Sequence, residues 1–243
     1  MLSVKELHAY YGKSHIVQGV SFDVGDEEVV GILGRNGVGK TTILRSILGL
    51  APPKKTGCIT FGDVDISSMP AHKVVANGLA YVPQGRRIFP RLTVWENLIL
   101  PVVKGAVDKA DINEVLEIFP RLNSRLKQVA STLSGGEQQM LAVARAIMSR
   151  PRLIIVDEPT EGLQPSVVTL VRESIRALSK RGIAVIIADQ NLENVLELCD
   201  KVLLLDKGVF KYTERRENLS IDLLKQYLGV SKKREVGPVT SES

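Results

Sequence analysis

A glycine-rich segment between an apolar run and a helical pattern constrains the fold of this chain more than any other feature. Residues 34–41 read Gly-Arg-Asn-Gly-Val-Gly-Lys-Thr and match the pattern GxxxxGK[ST]. The apolar run Val29–Leu33 before it predicts a buried strand, and a helix is expected to begin at about Lys40. A strand, a glycine-rich turn and a helix N-terminus in this order predict a loop that wraps around phosphate groups.

The residue types in this loop suit the binding of ATP with Mg²⁺. Glycines let backbone N–H groups turn inward around phosphate oxygens, and the helix N-terminus adds partial positive charge. Lys40 places a full charge near the β- and γ-phosphates, and Thr41 offers a hydroxyl to the metal ion. A glycine turn beside a surface lysine is the alternative, but it leaves the flanking strand and helix unexplained. The predicted nucleotide-binding residues here are Gly34, Arg35, Asn36, Gly37, Val38, Gly39, Lys40, Thr41 and Thr42.

A second apolar run, at 153–156, ends in the carboxylates Asp157 and Glu158. Ligands of doubly wound sheets bind at the carboxyl ends of the strands, where these two side chains are expected. Asp157 can hold Mg²⁺, directly or through water, and Glu158 can orient and polarise a water for attack on the γ-phosphate. Alone, such a strand could simply begin a surface loop. Together with the phosphate loop, it predicts ATP hydrolysis.

Short apolar runs alternate with helical patterns along much of the chain. This alternation predicts a doubly wound α/β core, with helices at about 166–180 and 192–198. The runs 2–10 and 16–24 are joined without a helix and, with 57–61, predict a separate antiparallel β layer. The further strands expected to be buried on both faces of a parallel sheet are 79–82, 153–156, 183–188 and 202–205.

The stretch between 85 and 150 lacks strand patterns and predicts an all-helical subdomain inserted into the core. Thr93 and Ser134 each precede a glutamate by three residues, the spacing of capping boxes, and 111–119 is amphipathic. The helix after Thr93 is expected to reach about residue 103. The predicted domain covers 1–230, with the core at about 1–85 and 151–230, the helical subdomain at about 86–150 and a disordered tail at 231–243.

The composition indicates the cellular compartment in which this chain is expected. Cys58 and Cys199 are far apart and lack metal-binding spacing, which indicates reduced thiols in a cytosolic protein. The formal charge of +5 is mild and favours an ordinary solvated surface over attraction to anionic lipid. Neither a signal peptide nor a run of roughly 20 apolar residues is expected, so any link to a membrane runs through a partner.

A further motif, Leu133-Ser-Gly-Gly-Glu-Gln138, opens a second helix N-terminus with exposed N–H groups. Alone it could be an ordinary capped helix. The phosphate loop, this signature and the Asp-Glu strand follow one another along the chain in that order. With these motifs the chain resembles the ATPase subunits of ABC transporters over about residues 2–229. The resemblance implies an α/β P-loop NTPase (RecA-like) core with an N-terminal antiparallel β layer and an inserted all-helical subdomain.

The resemblance also implies roles for individual residues. Tyr11 matches the aromatic residue that stacks on adenine, and Val17 is expected to pack beside it. Gln84 matches the glutamine that senses Mg²⁺ and links to the helical subdomain. Asn36 is expected to face the attacking water or a phosphate. Two protomers are expected to pack head to tail, each ATP lying between the P-loop of one and the signature of the other, namely Ser134, Gly135, Gly136 and Glu137.

The partners implied are a second ATPase subunit, identical or related, and transmembrane permease subunits, with no nucleic acid. The groove expected to receive the permease lies beside Gln84, at Gly85, Arg86, Arg87 and Phe89. Such a subunit is peripheral to the cytoplasmic side of the inner membrane.

Two positions depart from the wider family. Gln164 stands where the family usually has Asp, and Gln190 where it usually has His. Gln190 is expected to keep the γ-phosphate contact as a neutral donor; the alternative is that it only caps the next helix. The stretch 82–93, with Glu-Gly-Leu-Gln-Pro165 and Asp-Gln-Asn191, resembles a subgroup that serves importers of branched-chain amino acids, urea or short amides. Gln84 in place of Glu and Gln164 in place of Ala favour the urea-like branch.

Three other functions are compatible with a phosphate loop. A non-transport ABC ATPase of DNA repair or chromosome structure carries long coiled coils or zinc modules, for which the stretch between Gln84 and Ser134 is too short. Translation-type members usually hold two ATPase units in one chain. A small-molecule kinase leaves the signature unexplained. An export ATPase stays open, because this subunit does not touch the cargo.

Overall fold

The computed structural model of the protein describes residues 1–85, 87–101 and 108–229. Arg86, predicted to line the groove for a permease, lies outside these residues. The tail 231–243, predicted to be disordered, lies outside them as well. The strands are β1 (Leu2–Tyr11), β2 (Ser14–Val24), β3 (Val29–Leu33), β4 (Lys54–Phe61), β5 (Val64–Asp65), β6 (Leu79–Val82), β7 (Leu153–Asp157), β8 (Ala184–Asp189), β9 (Lys201–Asp206) and β10 (Val209–Arg215). The helices are α1 (Lys40–Ile47), α2 (Ala71–Ala76), α3 (Val94–Ile99), α4 (Lys109–Ile118), α5 (Pro120–Asn123), α6 (Gly135–Ile147), α7 (Pro165–Ser179), α8 (Leu192–Leu198) and α9 (Ile221–Leu228).

The central sheet has the order β10-β9-β3-β8-β7-β6. Its strands run parallel except for β10, which pairs antiparallel with β9 at one edge. Every residue of β3, β7 and β8 is buried, which explains why their sequences are continuous apolar runs rather than alternating ones. The predicted doubly wound core is therefore confirmed, and the carboxyl ends of β3, β7 and β8 meet at one edge.

Hydrophobic cores cover both faces of this sheet. Alternate residues of β7 point to opposite sides, so that Ile154 packs in the cluster that includes Met140 of α6, and Ile155 in the cluster that includes Ile43 of α1. The first cluster joins the sheet to the helical segment between β6 and β7. The second joins the sheet to α1 and to the N-terminal strands.

The N-terminal strands form a second sheet of order β2-β1-β4-β5 with antiparallel pairing. This is the antiparallel layer that the sequence predicts. The apolar side of this sheet packs into the cluster that contains α1. Strand β1, which ends at Tyr11, is therefore fixed to the core that carries the phosphate loop.

The segment between β6 and β7 is helical in its described part, as expected. Thr93 and Ser134 both form the predicted capping boxes. The helix that begins after Thr93 ends at Ile99, earlier than expected, because Pro101 has no N–H to extend the ladder. Residues 102 and 103 lie outside the described part.

In the part of the chain that the structure describes, no helix has both the length and the apolar character needed to cross a membrane. Cys58 and Cys199 are both free, as the sequence indicates.

Candidate active site

The glycine-rich loop connects the end of β3 to the start of α1. Gly37 and Gly39 have φ of +80° and +115°, a region that other residues rarely adopt, and a Cβ at Gly37 would meet no atom within 4 Å. Gly39 is the N-cap of α1, where a side-chain hydrogen bond to the first turn is absent. The first N–H groups of α1 are therefore left for a ligand, and the backbone around Gly37 is open to close approach.

Gly34 and Val38 hold this loop rather than present side chains to a ligand. A Cβ on Gly34 would lie 2.5 Å from the Leu205 carbonyl oxygen, so only glycine fits against β9. The Gly34 N–H donates to the Asp189 carbonyl at 3.3 Å, and the Val38 carbonyl accepts from the Gly208 N–H at 3.1 Å.

Lys40 joins the loop to the end of β7. Its side chain is 3% exposed, and Nζ donates to the Gly34 carbonyl at 2.9 Å and the Arg35 carbonyl at 3.2 Å. Nζ also lies 3.3 Å from Oε1 of Glu158. The cleft above it is lined by Ile16, Asn36, Gly37, Gly39, Lys40, Thr41, Thr42, Gln84 and Glu158.

Asp157 receives two hydroxyl groups on one oxygen. Thr41 Oγ1 donates to Oδ2 at 2.8 Å, and the Tyr81 hydroxyl donates to the same atom at 3.3 Å. Burial raises the pKa of the Asp157 carboxyl, while the hydrogen bonds from Thr41 and Tyr81 oppose the rise. Burial and the Asp157 charge also raise the pKa of Tyr81, which therefore stays a donor. Tyr81 was not predicted as a site residue, and its one signal in the sequence is a polar tip inside the apolar run of β6.

The donor set around Asp157 fits Mg²⁺. Oδ1 of Asp157 is buried and has no hydrogen-bond partner among the described residues, so it is an oxygen that a cation would satisfy. The Thr41 hydroxyl is bonded to the same carboxylate, and hydroxyl and carboxylate oxygens suit this ion. Residues 1–85, 87–101 and 108–229 contain no group of three or more His, Cys, Asp or Glu side chains arranged so that they could hold a metal ion by themselves. A site with few protein ligands is what Mg²⁺ uses when phosphates and water complete its shell.

Glu158 is held by groups on both sides. It has φ of +48°, uncommon for a residue with a side chain of this size, and its side chain is 8% exposed. Gln84 Nε2 donates to Glu158 Oε2 at 3.1 Å and to Glu161 Oε2 at 2.6 Å. Burial raises the pKa of Glu158, against the effect of Lys40 and together with the charges of Glu161 and Asp157. Glu161 is a second site residue that was not predicted from the sequence.

Gln190 follows the end of β8 and shares a surface cavity with Arg35, Asn36 and Leu228. Its side chain is exposed. The cap of α8 is Asn191, whose side chain accepts from the Asn194 N–H at 3.2 Å. The alternative that Gln190 serves as that cap is therefore wrong, and its amide remains beside the phosphate loop.

Tyr11, expected to stack on the base, is accessible to a ligand, whereas Val17, expected beside it, is not. Tyr11 is 37% exposed at the end of β1. Val17 was expected beside the base, yet its side chain is fully buried in the core, so this expectation is wrong. Ile16, on the opposite face of β2, lines the cleft instead.

The signature residues lie outside the cleft of their own chain. The Ser134 side chain caps α6, and the Glu137 carboxylate accepts from the Ser134 N–H at 2.9 Å and pairs with Arg125 at 2.9 Å. The Glu137 carboxylate is thus hydrogen-bonded within its own chain, and a contact between Glu137 and a nucleotide stays a prediction. A Cβ on Gly136 would lie 2.1 Å from Val167, so this glycine lets α6 approach α7. None of the residues lining the cleft beside Lys40 comes from 133–138.

The groove predicted for a membrane partner carries an exposed aromatic ring. Phe89 is 45% exposed, and the Arg145 guanidinium lies 5.0 Å from its ring centroid. Arg145 Nη2 also donates to the Arg87 carbonyl at 2.7 Å. Arg145 of α6 therefore holds Arg87 and Phe89 in the described part of the groove.

Comparisons with known proteins agree with this geometry. A family model described as ABC transporter matches residues 17–161. The chain is 40% identical over 210 residues to the high-affinity branched-chain amino acid transport ATP-binding protein BraG of Pseudomonas aeruginosa, covering 86% of this chain and 90% of that protein. It is 34% identical over 214 residues to the lipopolysaccharide export system ATP-binding protein LptB of Escherichia coli, covering 85% and 87%.

Solved structures show the same fold. One described as the ATP-binding subunit of an ABC transporter superposes with a TM-score of 0.80 at 26% identity, covering 94% of this chain and 99% of the other. The ATP-binding cassette MJ0796, described as a dimer in a post-hydrolysis state with ADP and Pi, gives a TM-score of 0.79 at 23% identity, covering 90% and 100%. The second likeness supports the fold alone.

Proposed function

Because this chain belongs to the ABC transporter family as an ATP-binding, ATP-hydrolysing protein, we propose that it powers the import of branched-chain amino acids through a membrane transporter. The observation that carries the proposal is the 40% identity to BraG, a protein named for that transport. The motifs Glu-Gly-Leu-Gln-Pro165 and Asp-Gln-Asn191 support the same subgroup.

In the proposed hydrolysis, Glu158 acts on the attacking water. Burial raises its pKa, which makes the carboxylate a better proton acceptor than an ordinary surface glutamate, while the Lys40 charge opposes the rise. Gln84 donates to the same carboxylate and restricts its rotation. Gln190 and Asn36 supply neutral polar groups at the edge where the γ-phosphate is expected.

Nucleotide binding rests on the loop and on Tyr11. The uncapped N–H groups of α1 and the Lys40 ammonium meet the phosphates, while the exposed Tyr11 ring stacks on the base and Ile16 contacts it. Thr41, Asp157 and Gln84 are the proposed ligands of Mg²⁺, directly or through water. When bound, this ion neutralises charge on the phosphates as the terminal group is transferred.

We further propose that two ATPase subunits share each nucleotide. The start of α6 at Ser134–Gly136 lies outside the cleft of its own chain, so a partner's cleft is where the N–H groups of Gly135 and Gly136 can act. The exposed Phe89 beside Arg145 is the proposed contact for a permease on the cytoplasmic side of the inner membrane.

Two other solutes have specific support. Gln84 and Gln164 favour a urea- or short-amide importer. The 34% identity to LptB favours an exporter of lipopolysaccharide.

The test uses the organism that encodes this chain. The gene is replaced by the Glu158→Gln allele, and uptake of radiolabelled leucine, urea and acetamide is measured beside growth and envelope integrity. Loss of leucine uptake, restored by the wild-type gene, supports the proposal. Loss of urea or acetamide uptake with normal leucine uptake overturns it in favour of the amide branch, and an envelope defect with normal uptake of all three favours export.

A further inference from the structure

The loop that follows Glu158 and the loop that carries Gln190 meet at one buried asparagine. Asn194 of α8 is 1% exposed. Its Nδ2 donates to Asp189 Oδ2 at 2.9 Å and to Thr160 Oγ1, while its Oδ1 accepts from Arg172 Nε at 2.9 Å and Nη2 at 2.6 Å. Both donors and both lone pairs of the amide are used, so the hydrogen bonds fix its orientation.

Asp189 and Thr160, which both accept from this amide, belong to different loops of the active site. The Asp189 carboxylate, itself 4% exposed, accepts from the Asn191 N–H at 2.9 Å and from the Gln190 N–H. Thr160 lies two residues after Glu158, whose own N–H donates to the Ala188 carbonyl at 2.8 Å. The Asp189 carbonyl accepts from Gly34, the first residue of the phosphate loop.

We infer that Asn194 is a positioning residue, which holds the Gln190 loop and the loop after Glu158 in one arrangement around the γ-phosphate. Arg172 of α7 reaches this network through the Asn194 amide. Arg172 Nη1 also pairs with Glu197 at 2.7 Å, on the outer side of the network. Aspartate at 194 would still accept from Arg172 but could not donate to Asp189 or Thr160.

The inference rests on the proposed roles of Glu158 and Gln190, but not on the identity of the solute. It predicts a defect in the chemical step rather than in nucleotide affinity. Misplacement of a reacting group by about 1 Å can cost on the order of a hundredfold in rate. Asn194→Asp and Asn194→Ala should therefore lower kcat at least tenfold, with the KM for ATP within about twofold of wild type.

The matched control is Glu197→Gln, which weakens the outer partner of Arg172 and leaves the Asn194 contacts intact. It should keep kcat within about twofold. Thr160→Val, of nearly equal shape, removes one contact of Asn194 and should give an intermediate loss even if the Asn194 variants fold poorly. The assays use the full chain with its membrane subunits, and melting temperatures are recorded for all variants.

Two readouts separate positioning from general stability. Hydrogen exchange should speed up in peptides covering 158–164 and 189–191 together in Asn194→Asp, and in neither for Glu197→Gln. In a Gln190→Ala background, Asn194→Asp should cost much less in kcat than it does in wild type, since groups that act as a unit are not additive.

Unchanged exchange in the two peptides or a kcat within about twofold of wild type would each overturn the inference, and so would equal losses in both backgrounds when Gln190→Ala is itself impaired. If Gln190→Ala alone is fully active, the role of Gln190 fails. The coupling of the two loops is then decided by the exchange measurement.

Discussion

Lys40 and Glu158 form an ion pair, with Nζ 3.3 Å from Oε1, that joins the phosphate loop to the end of β7. Both side chains are almost fully enclosed. The cation expected to meet the phosphates and the carboxylate expected to act on water thus lie at one edge of the central sheet. Removing either group changes the surroundings of the other.

Lys40→Ala should reduce ATP hydrolysis to a few per cent of wild type or less. The loop loses its enclosed ammonium, and Glu158 loses the charge that keeps its raised pKa from rising further. Steady-state ATPase assays with the partner subunits measure this. Lys73→Ala, an exposed lysine on α2, is the control for lost charge and should be fully active. Retention of substantial activity in Lys40→Ala would contradict the assignment of the loop.

Glu158→Gln should bind ATP but not turn it over, because a neutral amide cannot accept a proton from water yet keeps nearly the same shape. With ATP and Mg²⁺ it should accumulate as a dimer in size-exclusion chromatography. Glu161→Gln, which keeps an acceptor for Gln84, is the control and should still hydrolyse ATP. A Glu158→Gln chain that stays monomeric with its proper partner supplied argues against a shared nucleotide.

Ser134→Arg should block hydrolysis while leaving ATP binding by the isolated chain intact. The bulky side chain would fill the partner's phosphate site, whereas the cleft of its own chain is lined by other residues. The change also removes the cap of α6, which costs about 1 kcal/mol of stability. Ser134→Ala loses the same cap without the bulk and is the control. Loss of ATP binding in the isolated Ser134→Arg chain would indicate that Ser134 serves its own fold.

The sequence predicted the loop, its strand and its helix because each rests on local pattern: a continuous apolar run, glycines and a lysine at fixed spacing. It did not predict the Tyr81–Asp157 contact, which depends on β6 lying beside β7 in the sheet. The expectation that Val17 lies beside the base failed for another reason, which is an irregularity within β2. An irregularity beside Gly19, whose φ is +72°, shifts the alternation of β2 by one residue, so Val17 turns inward and Ile16 outward.

Tyr81→Phe should raise the Mg²⁺ concentration needed for half-maximal activity about tenfold, because groups that orient a metal ligand typically change affinity by this order or more. The Asp157 carboxylate loses one of two donors but keeps Thr41. Activity at saturating Mg²⁺ should change little. Titration of ATPase activity with MgCl₂ measures it, with Tyr212→Phe, whose hydroxyl lies near α9, as control. An unchanged Mg²⁺ requirement would mean that Tyr81 serves packing only.

The last prediction concerns Gln190, which lies beside Arg35 and Asn36 and is not the cap of α8. Gln190→Ala should lower kcat roughly a hundredfold, the usual cost of losing one donor to a transition-state oxygen. A rate within about threefold of wild type would mean that Gln190 makes no catalytic contact.

The pH dependence separates Gln190 from Glu158. Glu158 must be deprotonated to accept a proton, so activity falls as the pH drops through its pKa, which burial places above that of an ordinary glutamate. That fall should be shared by wild type and Gln190→Ala, because neither residue at 190 titrates, and the ratio of their rates should stay constant between pH 6 and 8. Gln190→His should keep activity, but its ratio to wild type should change near pH 6.5, where histidine gains a proton. A constant ratio for the histidine variant, measured with the cognate partner, would place the side chain at 190 away from the reacting phosphate.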